Sequence, residues 1–570
     1  MYVYLFSFDL ELLLIGSRIA RVTADILCDD VLLETFDWYL FHDEADDNAL
    51  DVDAWHTLVH VCRRWRAIVF GSSRRLNLQL FFTSGRSVET LAVWPPLPII
   101  IWKYGNQTQG MDDVIIALKY NDRICEINLL DIQSAQLEDV LAAMQRPFPA
   151  LTELGLRGDD DYTAAPAVPD SFLDGFAPSL QRLYFCRMPF PALPEFLLSA
   201  TNLVQLHVWR IPYLGFIPPE VMVNCLSALP KLEVLWLGFE SSRSRLYQDS
   251  LRTPPIRLPL LTEFKFEGAI KYLENLVAPI DAPLLDSLEI TFFYKPVLDT
   301  PELLKFVSRI PNVKSPAEAY VDFSYESVSV TLPNALPRKL HLEVLCTPAN
   351  SQVRSLAQVC GWSYPRFLIP EVERLYITDT EPQPVLEDDI EDDQWLAVLR
   401  PFTSVKDLCL SWEIVTRIAD SLGERGTEVL PALQNLFLEE PRPLGAVKDA
   451  IDQFVAARQL AIQPIAVYSW VGTWGQASEV VNVTSMYGDL SVPGASALDD
   501  LSGFGPGFSS SVLDHSDSSV PDGSPVPNYS SMLVDSPVVV DSPMFNDSPV
   551  VVDSLMFNDS PVVVDHVDLL

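Results

Sequence analysis

Two histidines, eight cysteines and several acidic runs are the side chains whose types and spacing could support chemistry in this chain. His56 and His60 lie four residues apart, which would place both imidazoles on one helix face and could hold a metal ion. No third ligand accompanies the pair, so we interpret both as solvated helix residues. A cysteine nucleophile would need a partner histidine brought to it by folding, and the sequence alone does not reveal one.

The cysteines and the acidic runs lack the spacing of known sites. No two cysteines form a Cys-x-x-Cys pair, which argues against zinc sites and against a disulfide framework. We expect most of them to be small reduced core residues, as in a cytoplasmic or nuclear protein. The acidic runs at 159–161 and 387–393 lack the glycine and the spacing of a calcium-binding loop. We interpret these runs as solvated loops, with contact to a basic partner as the alternative.

Catalytic signatures are also missing from the sequence. It contains no Gly-x-x-x-x-Gly-Lys-Ser/Thr loop, no Gly-x-Gly-x-x-Gly after a strand, no His-Glu-x-x-His and no Gly-x-Ser-x-Gly. We therefore expect a chain that is not an enzyme and that uses neither a cofactor nor a bound metal. A hydrolytic carboxylate pair assembled only by folding is the remaining enzymatic alternative.

The charge of the chain indicates which partners to expect. Its 570 residues include 77 acidic and 39 basic side chains, a formal net charge of −38. Such a chain repels nucleic acid and anionic membranes, so we expect protein partners, with neither nucleic acid nor membrane among them. Residues 1–22 form an apolar leader of uncertain status. Asp9 and Glu11 interrupt it and no basic residue precedes it, unlike a secretory signal.

The elements that would position any site begin with a short helical module at residues 23–71. Apolar spacing predicts a first helix over Ile26–Phe36, with Asp29 and Asp30 in its first turn. After an acidic loop at 43–53, the same apolar spacing predicts a second helix from Ala54 to Phe70. The apolar stripe of the second helix consists of Trp55, Leu58, Val59, Cys62, Trp65 and Val69. Two such helices bury too little surface to be stable without the following domain or a partner.

This module resembles an F-box. The segments 29–36 and 58–66 are most similar to the F-box-like family of mushroom-forming (basidiomycete) fungi, whose second helix carries the same run, Val61-Cys62-Arg63-Arg64-Trp65-Arg66. The resemblance implies a substrate-recognition subunit of a cullin–RING ubiquitin ligase that binds a Skp-type adaptor. The adaptor-binding residues that it implies are Leu27, Val31, Leu32, Phe36, Val61, Cys62 and Trp65.

One position departs from that family. Its motif usually begins with Leu-Pro, and here Cys28 follows Leu27. A proline would preset the entry to the helix. The alternative function is therefore a leucine-rich-repeat interaction scaffold without a ubiquitin-ligase role, in which the helices pack onto the following domain.

Residues 72–470 carry a repeated Pro-x-Leu-x-x-Leu-x-Leu pattern whose units mostly start about 23 to 33 residues apart, close to the leucine-rich-repeat period. The nine units begin at Leu151, Leu180, Leu203, Leu232, Leu261, Leu285, Val372, Val405 and Leu433. Each predicts a short strand with alternate side chains inward, and segments such as 222–229, 303–310 and 395–399 predict return helices. Residues 76–80 and 124–130 should begin the stack, and 321–345 should form less regular units.

The predicted fold class is α/β: an F-box-like helical module, an irregular leucine-rich-repeat solenoid and a disordered C-terminal tail. Stacked units would bury one core and leave a curved strand-lined surface for a protein cargo. A leucine-rich domain of unrelated architecture is the alternative. The likeness to the fungal family continues to about residue 470, through the helix that begins at Ala446.

Residues 471–570 contain no lysine or arginine and are rich in Ser, Pro and Asp, which predicts disorder. The segment Asp535–Asn546 recurs as a 12-residue repeat from Asp547 to Asn558. Serines that precede proline offer sites for a proline-directed kinase. Within the 12-residue repeats they are Ser536, Ser542, Ser548 and Ser560.

Overall fold

A computed structural model describes residues 27–41, 54–82, 95–105, 110–159, 166–240, 254–295, 297–311, 313–361, 369–379, 392–439, 445–470 and 484–485. Our predictions for the leader at 1–22, for the acidic loop at 43–53 and for nearly all of the tail lie outside these residues, as does most of each acidic run.

Helices and strands alternate through most of the described chain. The helices are α1 (Asp29–Phe41), α2 (Ala54–Val61), α3 (Arg63–Gly71), α4 (Met111–Ala117), α5 (Ser134–Ala143), α6 (Leu193–Ser199), α7 (Pro219–Ser227), α8 (Ile270–Val277), α9 (Pro301–Arg309), α10 (Ala349–Cys360), α11 (Asp392–Leu399), α12 (Trp412–Arg425) and α13 (Ala446–Leu460). The strands are β1 (Leu80–Phe82), β2 (Ile99–Tyr104), β3 (Ile124–Ile132), β4 (Glu153–Gly158), β5 (Arg182–Cys186), β6 (Gln205–Ile211), β7 (Val234–Phe239), β8 (Ile256–Arg257), β9 (Glu263–Gly268), β10 (Ile280–Asp281), β11 (Ser287–Phe293), β12 (Glu318–Phe323), β13 (Ser327–Pro333), β14 (Lys339–Leu345), β15 (Arg374–Asp379), β16 (Asp407–Leu410), β17 (Asn435–Glu439), β18 (Ala466–Trp470) and β19 (Thr484–Ser485).

Seventeen of these strands form one sheet, and β8 and β10 form a separate parallel pair. From β1 to β11 the strands of the large sheet pair in parallel with their neighbours, and so do β12 with β15 and the strands from β15 to β18. Parallel neighbours need a crossover connection, and most of the return segments contain a helix. The result is a mixed α/β chain dominated by a parallel sheet, consistent with a repeat solenoid.

The predicted repeat leucines form two apolar ladders along the sheet. The first aligns Leu154, Leu183, Leu206, Leu235, Phe264, Leu288 and Leu340. The second aligns Leu156, Phe185, Val208, Leu237, Phe266, Ile290 and Leu342. All of these side chains are at most 3% exposed. Six of the nine predicted repeat strands supply rungs to these ladders. The other three, β15, β16 and β17, align Leu375, Leu408 and Leu436, and Ile377, Leu410 and Leu438, all fully buried, so all nine have inward apolar positions.

The segment predicted to hold less regular units contains the one reversed strand inside the described array. Strand β11 pairs with β14, not with β12, and β13 runs antiparallel between β14 and β12. A tight turn precedes β13, where the Ser324 backbone N–H donates to the Ser327 carbonyl at 2.9 Å. So short a turn can join only antiparallel strands, which explains the reversal.

The first helix, predicted over Ile26–Phe36, lies at Asp29–Phe41. Three further features also differ from the predictions. The predicted helix from Ala54 to Phe70 is two helices, because Cys62 adopts an extended conformation and its Sγ accepts a hydrogen bond from the Trp65 backbone N–H at 3.4 Å, which caps α3. In the segment 76–80 only Leu80 is in a strand, because the preceding residues form turns.

The third of these features is β19, which lies in the segment predicted as disordered. Its two residues pair antiparallel with β18. Strand β18 otherwise ends the sheet, and the unpaired backbone groups of an edge strand favour such pairing.

Shortening one rung of the ladders should destabilise the array. Leu206→Ala removes a fully buried side chain between Leu183 and Leu235, and we expect the free energy of unfolding in urea to fall by about 3 kcal/mol. The control is Leu198→Ala on α6, where the side chain is 46% exposed and the expected loss is below about 1 kcal/mol. Equal losses of unfolding free energy in the two variants would contradict the burial of Leu206 in the ladder.

Candidate partner-binding surfaces

The three N-terminal helices pack together and onto the start of the array. The rings of Phe36 on α1 and Trp65 on α3 have centroids 4.7 Å apart. Val59 and Val69 are fully buried in the same apolar core. Trp55 Nε1 donates to the carbonyl of Gln79, just before β1, at 3.1 Å. The module is thus anchored to the array through one of its faces.

Ion pairs hold the start of α1 against α3. Arg64 donates to Asp29 Oδ1 from Nη2 at 2.7 Å and from Nε at 3.2 Å, and Nη2 also reaches the Leu27 carbonyl at 2.5 Å. A second pair joins Arg75 to Glu34. Because exposed pairs contribute little stability, their main effect is to fix Leu27 near the junction of α2 and α3.

The predicted adaptor-binding residues divide into exposed and buried sets. Leu27, Val31 and Val61 are 39%, 46% and 58% exposed, and we call these three residues the module patch. Leu32 and Phe36 are each only 1% exposed and belong to the core that joins the helices. The remaining two predicted residues, Cys62 and Trp65, are partly buried.

Sequence reasoning missed two further exposed aromatic residues of the module, Trp38 and Tyr39, of which Trp38 extends the predicted face. Trp38 lies seven residues after Val31, two helical turns along the same face of α1, and is 53% exposed. Helical spacing from Val31 could have indicated it. The apolar face of α1 is therefore longer than the predicted set.

The second candidate surface is the exposed face of the sheet. On it, one residue from each strand aligns with its neighbour to form what we call the central row. The central row consists of Trp102, Asn128, Gly155, Tyr184, His207, Trp236, Lys265, Glu289, His341, Thr331, Tyr320, Tyr376, Cys409, Phe437 and Tyr468. Many members are aromatic, and such side chains supply large contact areas in protein interfaces.

A charged and aromatic cluster occupies the middle of this row. Lys265 Nζ lies 5.2 Å from the ring centroids of both Trp209 and Trp236, within cation–π range. Glu289 binds Lys265 at 3.4 Å and Lys339 at 2.6 Å. Burial alone would raise the pKa of Glu289, but the Lys339 hydrogen bond and the Lys265 charge outweigh it and hold that pKa below its ordinary value. The cluster is therefore charged and ordered before any partner binds.

His207 forms an uncharged part of the row. Its ring stacks on Trp236 with centroids 4.2 Å apart, and Tyr184 approaches it edge-on at 6.0 Å. Burial lowers the pKa of His207 to about 4, so the imidazole is neutral at physiological pH. Within the described part of the chain, its Nε2 has no hydrogen-bond partner.

Aromatic pairs also stack in the second half of the row. The rings of Tyr320 and Tyr376 are nearly parallel, with centroids 4.6 Å apart. The ring centroids of Phe437 and Tyr468 are 5.2 Å apart. Arg374 beside them bridges two carboxylates in the neighbouring row. Sequence reasoning did not single out these residues, although the middle position of each Leu-x-Leu unit would have located most of them.

A cleft lies over Gly155, the position in the row without a side chain. We call this cavity of about 250 Å³ the Gly155 cleft. It is lined by Asn128, Leu130, Glu153, Leu154, Arg182, Leu183, Tyr184, Gln205 and His207. Beside the cleft, burial and then the charge of Glu153 raise the pKa of Glu126, and they outweigh the Asn128 hydrogen bond and the Arg182 charge, which lower it. The cleft is open, and the amide of Asn128 donates to both Glu153 and the adjoining Glu126.

No metal centre or membrane span emerges from the described residues. They contain no group of three or more His, Cys, Asp or Glu side chains arranged to hold a metal ion. Burial, followed by the charge of His60, lowers the pKa of His56. Within the same ranges no helix has the length and apolar composition needed to cross a bilayer.

Comparison with known proteins adds little to this description. No protein-family model and no curated protein matches the chain. Among solved structures, the leucine-rich repeat-containing protein LegL7 from Legionella pneumophila is similar over 66% of this chain and 97% of its own, with 12% identity and a TM-score of 0.23. A TM-score this low supports no conclusion, so the fold assignment rests on the strand pairing alone.

The depressed pKa of His207 should make stability depend on pH. Because the unfolded imidazole titrates near 6.5 and the folded one near 4, the unfolded state binds more protons in between. The free energy of unfolding should fall as the pH falls across that window, by at most about 3 kcal/mol and by about 2 kcal/mol after allowance for solvent screening of the partly exposed ring. In His207→Phe this part of the pH dependence should disappear, as measured by urea unfolding at several pH values. An unchanged profile would contradict the burial of the neutral ring.

Proposed function

We propose that this chain is a non-catalytic substrate-recognition subunit of a cullin–RING ubiquitin ligase. Its helical module would bind a Skp-type adaptor, and the exposed face of its sheet would bind a protein cargo in the cytoplasm or nucleus. The observation that carries the proposal is the module patch. Leu27, Val31 and Val61 remain exposed, although Trp55 anchors α2 to the array and Phe36 packs α1 against α3.

The central row supports the second half of the proposal. It presents aromatic and charged side chains along the pairing direction of the sheet, and stacking and ion pairs fix them in place. A surface organised before binding loses little conformational entropy when a partner docks. The net charge of −38 favours a basic protein over nucleic acid or an anionic membrane.

A scaffold without a ubiquitin-ligase role is the second candidate. Its supporting observation is that Leu32 and Phe36, two of the seven implied adaptor-binding residues, are buried inside the module. Their side chains already stabilise the chain itself, so a smaller apolar area remains for an adaptor. Under this alternative the central row keeps its role, and the module serves only to cap the array.

Calorimetric titration of the full chain with a purified Skp-type adaptor distinguishes the ubiquitin-ligase subunit from the scaffold. We expect Val31→Asp with Val61→Asp to weaken binding by at least about tenfold, because two charges would be desolvated in an apolar contact. Both positions are exposed, so the double variant should fold normally. Leu32→Asp would be a poor probe because it places a charge in the core.

The matched control is Leu198→Asp on α6, an apolar side chain exposed to a similar extent but distant in sequence from the module. It should bind the adaptor like the unaltered chain. Failure of the unaltered chain to bind would support the scaffold. Equal affinity of the double variant and the unaltered chain would show that the module patch is not the adaptor site.

A further inference from the structure

The Gly155 cleft lies beside the one position of the central row that has no side chain. Gly155 lies between Asn128 and Tyr184 in the central row. A Cβ at this position would collide with Oδ1 of Asn128, so the asparagine amide already occupies the space beside the glycine. The remaining volume opens outward between the neighbouring side chains.

One carboxylate and one arginine, Glu153 and Arg182, line the cleft, and a second carboxylate, Glu126, adjoins it through a hydrogen bond from Asn128. Glu126 and Glu153 are aligned neighbours on β3 and β4, and Asn128 Nδ2 donates to Glu126 at 2.8 Å and to Glu153 at 3.1 Å. Glu153 also pairs with Arg182 at 2.5 Å. Among the described residues no lysine or arginine forms an ion pair with Glu126. The rim therefore has an excess of negative charge at Glu126.

The other walls of the cleft suit an apolar stem. Leu130 and the Tyr184 ring offer apolar surface, and the neutral His207 ring adds no positive charge to repel a cation. Lysine and arginine combine an apolar stem with a charged head, which matches a cleft with apolar walls and a carboxylate at its rim. An acidic side chain would be repelled by Glu126. A purely apolar one would desolvate that carboxylate without compensation.

We propose that the Gly155 cleft binds one lysine or arginine side chain from an extended basic segment of the protein cargo. The stem lies along Leu130 and Tyr184, and the cationic head binds the Glu126 carboxylate. This inference rests on the cargo-binding half of the proposed function and does not require the adaptor. The net charge of the chain would draw a basic segment toward the cleft.

The test uses the full chain and a fluorescent seven-residue peptide in which three arginines alternate with glycine and serine. The comparison peptide replaces each arginine by citrulline, which keeps the shape and removes the charge. Fluorescence anisotropy should show binding of the arginine peptide and at least about tenfold weaker binding of the citrulline peptide. Equal binding of the two peptides would overturn the proposal.

Two variants locate the contact. Glu126→Gln should weaken binding of the arginine peptide by at least about fivefold, while Glu195→Gln on the helical side of the array should leave it unchanged. Glu126→Lys should abolish that binding and allow a matching peptide with three glutamates to bind. Equal small losses in Glu126→Gln and Glu195→Gln would indicate unspecific attraction and overturn the site.

Failure of this proposal and failure of the proposed function have different readouts. Glu126→Gln should bind the Skp-type adaptor like the unaltered chain, because Glu126 lies in the sheet and not in the helical module. Specific peptide binding without any adaptor binding would support the cleft within the scaffold alternative. Adaptor binding without a difference between the arginine and citrulline peptides would overturn the cleft alone.

Discussion

The alignment of inward apolar side chains from strand to strand is the constraint on which the rest of the array depends. Each repeat places two such side chains in the ladders that run from Leu154 to Leu340 and from Leu156 to Leu342. Because side chains alternate along a strand, the residue between them must point outward, and a shift of one residue would reverse every face. Burial of the core therefore also determines which residues form the central row.

The helical module depends on the same division between buried and exposed faces. Trp55 connects α2 to the array and Phe36 packs on Trp65 within the module, which leaves the module patch exposed. The break at Cys62 matters because it ends α2 at Val61, one of the patch residues. Arg64 then positions the start of α1 beside that break. The same packing of the helices thus anchors the module to the array and leaves the module patch exposed.

Much of the fold could be predicted from the sequence, because ladder strands and return helices follow from local spacing. The order of β12, β13 and β14 could not, since which strand lies beside β11 is decided by tertiary pairing. The helix break at Cys62 was missed because the apolar stripe continues through it at helical spacing. For the site, helical spacing identified the apolar residues of the module but not which face the array would cover. Gly155 and Glu126 became notable only when strand pairing set them beside Asn128.

Hydrogen–deuterium exchange on the full chain, with and without a Skp-type adaptor, tests the central claim most directly. If the proposed function is right, the helical module binds the adaptor while the exposed face of the sheet stays available for a cargo. Slower exchange should appear at residues 27–38 and 60–66, with no change in β4 to β7. Protection of those strands, or no protection at the module, would contradict it.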